Sequence, residues 1–296
     1  MKITTEKEAL PAVQETGWAL KYVPKKFKTP EICMFAIQRY GEALRYVPKK
    51  LKTSEIYMTA AQQNGRALKY IPEKFKTLEI CLTAVQETGW ALKHIPKKFK
   101  THEICMLAVL KDGIPLKYVP KKLKTPEMCL TAVEKIGWAL QYIPKKFKTP
   151  EICLTAVRQD SMTLKYVPKE LKTPEICLTA IQQNGWALKY IPKKFKTPEI
   201  YLAAVRQDSR ALASIPEKLK TPEICIIAVQ QDCWPVGYMT LGYVPEKLKT
   251  LEICLAAVQQ DDRALRYVPN ALIATIKAMA DLGFDCAQPP KTSVIE

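Results

Sequence analysis

Histidine is almost missing from this chain, which has two in 296 residues. Catalytic acid–base sets and catalytic metal sites lean heavily on imidazole, so both are poorly provided for. No C-x-x-C pair occurs, and no glycine-rich phosphate loop. No run of eighteen apolar residues occurs, so no membrane span is expected. The start, MKITTEKEALPAVQ, lacks an apolar h-region, and a secretory signal is not expected there. Disorder is not expected either, because 48% of the residues are hydrophobic.

What is present is one phrase written many times. The proline of Y-V-P recurs at Pro24, Pro48, Pro72, Pro96, Pro120, Pro144, Pro168, Pro192 and Pro216, then at Pro245 and Pro269. The spacing is 24 residues, broken once by a 29-residue unit. A fixed period of this length marks an array whose units bury a shared core. A half repeat is read over 1–23 and ten full repeats over 24–268, with an insertion at about 233–242. A capping helix is read over 269–284, N-capped by Asn270 and ended by Gly283, followed by a loose tail over 285–296.

Each unit reads as two helical pieces and a turn. Thr29 is a good N-cap, Pro30 suits the first helical position, and Glu31 meets the positive end of the helix dipole. Ile32, Cys33, Ala36 and Ile37 make one apolar stripe. Gly41 is read as the C′ residue that stops this helix. Ser161 and Ser209 replace that glycine, so their units are expected to end differently. A second short helix follows and breaks at the proline. The fold expected is therefore an all-α solenoid, on the order of 100 Å long at roughly 10 Å per unit.

The ten cysteines yield to the same register. Eight share one repeat position, which Tyr57 and Tyr201 fill in the other two units. A position that takes Cys or Tyr is a packing position. Stacked equivalents would lie roughly 8–10 Å apart, beyond disulfide reach. Free thiols, no metal, no cofactor and a reducing compartment are expected, with the protein cytoplasmic or exported without a signal peptide. His94 and His102 stand where other units carry Tyr and Pro, which makes them repeat residues and not ligands.

The net charge of +17 has one source. The P-x-x-x-K loops hold 26 lysines against Glu73, Glu170, Glu217 and Glu246, a net of +22, and the rest of the chain nets −5. The candidate polyanion-binding residues are therefore the full lysine triplets: Lys25, Lys26 and Lys28; Lys49, Lys50 and Lys52; Lys97, Lys98 and Lys100; Lys121, Lys122 and Lys124; Lys145, Lys146 and Lys148; Lys193, Lys194 and Lys196. Lysine gives point charges without a fork, so such binding would be blind to sequence. A solubilising surface explains the same lysines. The polar triplets that close each first helix, such as QRY at 38–40 and RQD at 158–160, vary as base-reading repeats do, and also as solvated helix ends do. Trp18, Tyr22, Trp90, Trp138 and Tyr142 are read as packing between units, with base stacking the alternative.

The pattern T-x-E-I-C-L-x-A-V-x-Q-x-G-x-A-L-x-Y-V-P, over about residues 5–269, resembles a family of short bacterial helical repeats known only as a domain of unknown function. The resemblance implies the fold, and a host-directed interaction protein of an intracellular bacterium. It offers no functional residue to transfer. The expectation is a non-enzymatic scaffold that binds a protein. The alternative is binding of nucleic acid or another anionic surface through the lysine loops.

Overall fold

The structure is a computed structural model that describes residue 3, residues 5–231 and residues 237–281. It divides into two compact units, Met1–Ala156 and Val157–Glu296. Among the described residues, twelve α-helices alternate with short 3₁₀ segments, and there is no strand. Each unit is a stack of tandem repeats, the all-α solenoid architecture that the 24-residue period predicts.

One repeat shows how the sequence makes the rest. Thr29 Oγ1 accepts a bond of 3.3 Å from Ile32 N–H and opens the helix Pro30–Arg39, with Pro30 in its first turn. The same bond starts the helices Ser54–Gln63, Leu78–Glu87 and His102–Lys111. Ile32, Cys33, Ala36 and Ile37 are all buried, as the apolar stripe requires. The chain then extends at Tyr40 and enters a 3₁₀ helix, Gly41–Tyr46, which buries Ala43 and Leu44. The tighter form suits a piece this short. Val47 precedes a proline, which disfavours helical backbone, and it is extended at φ −70°, ψ 131°. Pro48 has no N–H to give, and a one-turn 3₁₀ segment, Lys49–Leu51, leads to the next cap. Neighbouring repeats stack helix on helix: Ser54–Gln63 packs on Leu78–Glu87 in the first unit, and Pro174–Gln183 on Pro198–Gln207 in the second. Burying a leucine such as Leu44 contributes about 1.5–3 kcal/mol, but only with a neighbour to cover it.

The recurring glycine does a different task from the one expected. It is not a left-handed C′ residue; Gly113, for instance, has φ −61°. Its requirement is space. A Cβ on Gly65 would lie 2.0 Å from Ala84 O in the next repeat, and one on Gly17 would lie 2.2 Å from Ala36 O. The glycine lets one repeat's 3₁₀ helix press against the next repeat's helix backbone. Nor do the serine units end differently. Asp160 before Ser161 is extended at φ −152°, ψ 111°, and Asp208 before Ser209 at φ −155°, ψ 110°, as Tyr40 is before Gly41.

The segment before Pro24 carries both pieces of a repeat, the helix Glu6–Glu15 and the 3₁₀ helix Gly17–Lys21. Of the insertion, residues 233–236 lie outside the described residues. Residues 237–242 belong to a seven-residue 3₁₀ helix, Gly237–Tyr243, with Leu241 buried. The helix Asn270–Asp281 packs on Leu251–Gln260 and begins with Asn270 instead of after it. Gly283 and the tail over 285–296 lie outside the described residues.

Candidate functional site

The lysine loops split into two kinds of position. The first two positions after each proline are exposed in all ten loops. They include Lys25, Lys26, Lys49, Lys50, Lys97 and Lys98, and likewise Lys121, Lys122, Lys145, Lys146, Lys193 and Lys194. The last lysine of each triplet, at Lys28, Lys52, Lys100, Lys124, Lys148 and Lys196, is half-buried.

That last lysine has a structural reason to be lysine, contrary to the reading of the whole triplet as free surface charge. Lys28 Nζ donates to Tyr46 O at 2.9 Å, Lys100 Nζ to Tyr118 O at 3.0 Å, and Lys124 Nζ to Tyr142 O at 2.7 Å. Lys76, Lys172 and Lys220 make the same bond to His94 O, Tyr190 O and Tyr243 O. Each acceptor is the last carbonyl of the 3₁₀ helix that follows, across the intervening α-helix of the same repeat. A lysine near a helix C-terminus satisfies such a carbonyl and complements its partial charge. Burial lowers the pKa of Lys28, and the ammonium of Lys25 lowers it further. Lys124 is lowered in the same way, chiefly by burial and more weakly by the ammonium of Lys121, with Cys129 acting in the opposite sense.

The sequence held a signal for this division. Every one of the ten loops keeps its last lysine, whereas Glu73, Glu170, Glu217 and Glu246 intrude only at the first two positions. The repeat carries its own internal comparison.

Adjacent loops frame shallow clefts. One, of about 490 Å³, is lined by Lys25, Lys26, Lys28 and Lys50 with Tyr46, Val47 and Pro48. A second of the same volume is lined by Lys121, Lys122, Lys124 and Lys146 with Gln141, Tyr142, Ile143 and Pro144. Each thus gathers four of the candidate lysines, three from one loop and one from the next, around an apolar floor. No carboxylate lines either cleft.

The aromatic residues are half in the packing and half out of it. Trp18 is 49% exposed and Trp186 50%, more than interior packing would leave. Most rings near the loops lie under the protein's own cations. Lys26 Nζ lies 4.7 Å from the centre of Phe27, and Lys98 Nζ 4.8 Å from that of Phe99. Arg45 lies 5.0 Å from Tyr46, and Lys117 5.7 Å from Tyr142. Arg210 lies 5.2 Å from Trp186 while its guanidinium also holds Asp208 at 2.8 Å.

A polar residue before the 3₁₀ helix has a local task in several repeats. Asn64 Oδ1 accepts from Arg66 N–H at 2.9 Å and Asp160 Oδ1 from Met162 N–H at 2.8 Å, so the ends of these two triplets cap the next element, whereas Tyr40 and Ile136 make no such bond. The eight cysteines at the shared position are free and buried. Burial pushes the Cys33 thiol up to about 11 although Lys28 pulls the other way. Cys233 and Cys286 lie outside the described residues. Among the described residues no group of His, Cys, Asp and Glu is placed to hold a metal ion, and no helix is long and apolar enough to cross a membrane.

Fold and loops together define a tandem helical-repeat protein with a cationic loop in every repeat. The chain belongs to the family described as Domain of unknown function (DUF4116), whose model matches eight overlapping segments: 9–52, 29–76, 53–100, 77–124, 125–172, 173–220, 197–249 and 221–273. Most of these span two repeats, in keeping with the 48-residue pairing of Trp90, Trp138 and Trp186. No curated protein and no solved structure matches the chain.

Proposed function

We propose that this chain is a non-enzymatic scaffold that holds a macromolecular partner, a protein, against its lysine loops. One observation carries the reading. The last loop lysine, as at Lys28, is committed to a backbone carbonyl of its own repeat, while the first two positions stand exposed in every loop. Surface that the fold does not need is the surface available to a partner. The recurring carboxylate supports a role outside catalysis: Glu103 sits in the first turn of its helix, and bonds from its backbone and Thr101 lower its pKa. The array of tandem repeats of this family suits an effector-type interaction protein, an extended surface built from one repeated unit. A second reading, binding of nucleic acid or an anionic surface without sequence preference, is favoured by the four lysines gathered in each cleft.

Charge reversal tests the common element of both readings. Lys25, Lys26, Lys49, Lys50, Lys97 and Lys98 changed to Glu should abolish retention of the protein on immobilised anionic polymers at moderate salt. Unchanged retention would remove the loops from the binding surface.

A further inference from the structure

The exposed lysines are unevenly shared. In the six loops of residues 1–156, the first two positions hold eleven lysines and Glu73 alone among acids. In the four loops of residues 157–296, they hold five lysines with Glu170, Glu217 and Glu246. The net is +10 in the first unit and +2 in the second. Both four-lysine clefts described above belong to the first unit.

Those clefts crowd like charges with no carboxylate in the lining to offset them. Lys25 disfavours the charged form of Lys28, and Lys121 that of Lys124. In the loop that has Glu73, the glutamate instead favours the charged form of Lys76. An anion seated in the cleft would do for Lys28 and Lys124 what Glu73 does for Lys76.

The chemistry of that anion can be read from the floor. Val47 and Pro48, or Ile143 and Pro144, lie beside the ammonium groups. A glutamate side chain matches such a surface, with methylenes for the floor and a carboxylate for the lysines. A phosphodiester has no apolar part to offer. Single-stranded nucleic acid binders add open aromatic platforms to a positive groove. Here the one ring in each cleft, Tyr46 or Tyr142, is already covered by Arg45 or Lys117. Lysine without arginine in these loops also forgoes the forked contact that favours phosphate.

We propose that the clefts between consecutive loops of residues 24–148 bind a glutamate-rich segment of a partner protein, its carboxylates among the lysines and its methylenes on the valine- or isoleucine-proline floor. This rests on the reading of the loops as the binding surface.

The test uses the full chain and three labelled probes: a 20-residue polyglutamate, a 20-nucleotide polyuridylate and a 20-base-pair DNA duplex. Fluorescence anisotropy gives each affinity at two salt concentrations. One variant changes Lys25, Lys26, Lys50, Lys121, Lys122 and Lys146 to Gln; the other changes Lys169, Lys193, Lys194, Lys218 and Lys247 to Gln. Glutamine keeps the solubility of these exposed sites, and circular dichroism checks that both variants fold. Polyglutamate should bind the wild type, weaken roughly tenfold or more in the first variant, about 1.4 kcal/mol or greater, and shift by less than about threefold in the second. Tighter binding of either nucleic acid than of polyglutamate, or equal losses in the two variants, would overturn the proposal while leaving the loops as the binding surface. Failure of all three probes to bind would overturn both.

Discussion

Lys28 Nζ donates a hydrogen bond of 2.9 Å to the backbone carbonyl of Tyr46, eighteen residues further along the chain. The bond ties the loop that opens a repeat to the end of the 3₁₀ helix that closes it. It turns a lysine that looks like surface charge into a structural tie within the repeat. In the equivalent pair, Lys124→Met keeps the aliphatic stem but strands Tyr142 O. It should lower stability by about 1–2 kcal/mol, the cost of leaving a part-buried acceptor without its donor. Lys122→Met, at an exposed position, should stay within about 0.5 kcal/mol. Urea unfolding midpoints compare the two; equal shifts would deny the lysine its structural role.

The glycines give a prediction about space. Gly65→Ala would set a Cβ 2.0 Å from the backbone oxygen of Ala84, which cannot move without shifting a helix. Overpacking of this kind costs about 1–3 kcal/mol or more. Gly242→Ala meets only the ring of Tyr267, at 3.0 Å, and a side chain can turn aside. Thermal unfolding should therefore show a clear loss for the first variant and a small one for the second.

Thiol chemistry should follow burial. The eight cysteines of the repeat are fully enclosed, so an aromatic disulfide reagent at pH 8 should leave them unmodified in the native protein and reach them on denaturation. Rapid native modification of more than two of the ten thiols would contradict the packing.

The same burial sets an alkaline limit. Cys33, Cys81, Cys105, Cys129, Cys153 and Cys254 are held at about 11, above the 9.0 of an unburied thiol. A raised value in the folded state favours folding fully below pH 9. That contribution is lost as pH climbs from 9 toward 11, because the unfolded chain releases its thiol protons first. The half-buried lysines work the other way, since their pKa values are lowered on folding. The thiols are fully enclosed and the lysines are not, so the thiols should prevail. Stability measured by urea unfolding should fall from pH 9 to pH 10.5, and replacing Cys105 and Cys129 with Ala should flatten the fall.

The repeat length, the capped first helix, the apolar stripe and the packing role of the cysteines were legible because each follows from local spacing. Thr29, Pro30 and Ile32 announce a helix start in any context. The glycine was misread because helix ends and close approaches both favour glycine, and only the neighbouring repeat's Ala84 O tells them apart. The stapling lysine was missed for a related reason. Its acceptor is a backbone carbonyl eighteen residues away, and carbonyls leave no mark on a sequence. The constancy of that lysine across ten loops was the available trace. The clefts needed two loops side by side, which periodicity implies but does not place.

The most direct test of the binding surface is the salt dependence of polyglutamate affinity for the intact chain. If carboxylates seat among the exposed lysines of the first unit, affinity should fall steeply between about 50 and 300 mM salt, as exposed charges are screened over about 10 Å at 0.1 M. The Gln variant of Lys25, Lys26, Lys50, Lys121, Lys122 and Lys146 should lose most of that slope. An affinity that stays flat with salt, or a slope unchanged in the variant, would contradict the account.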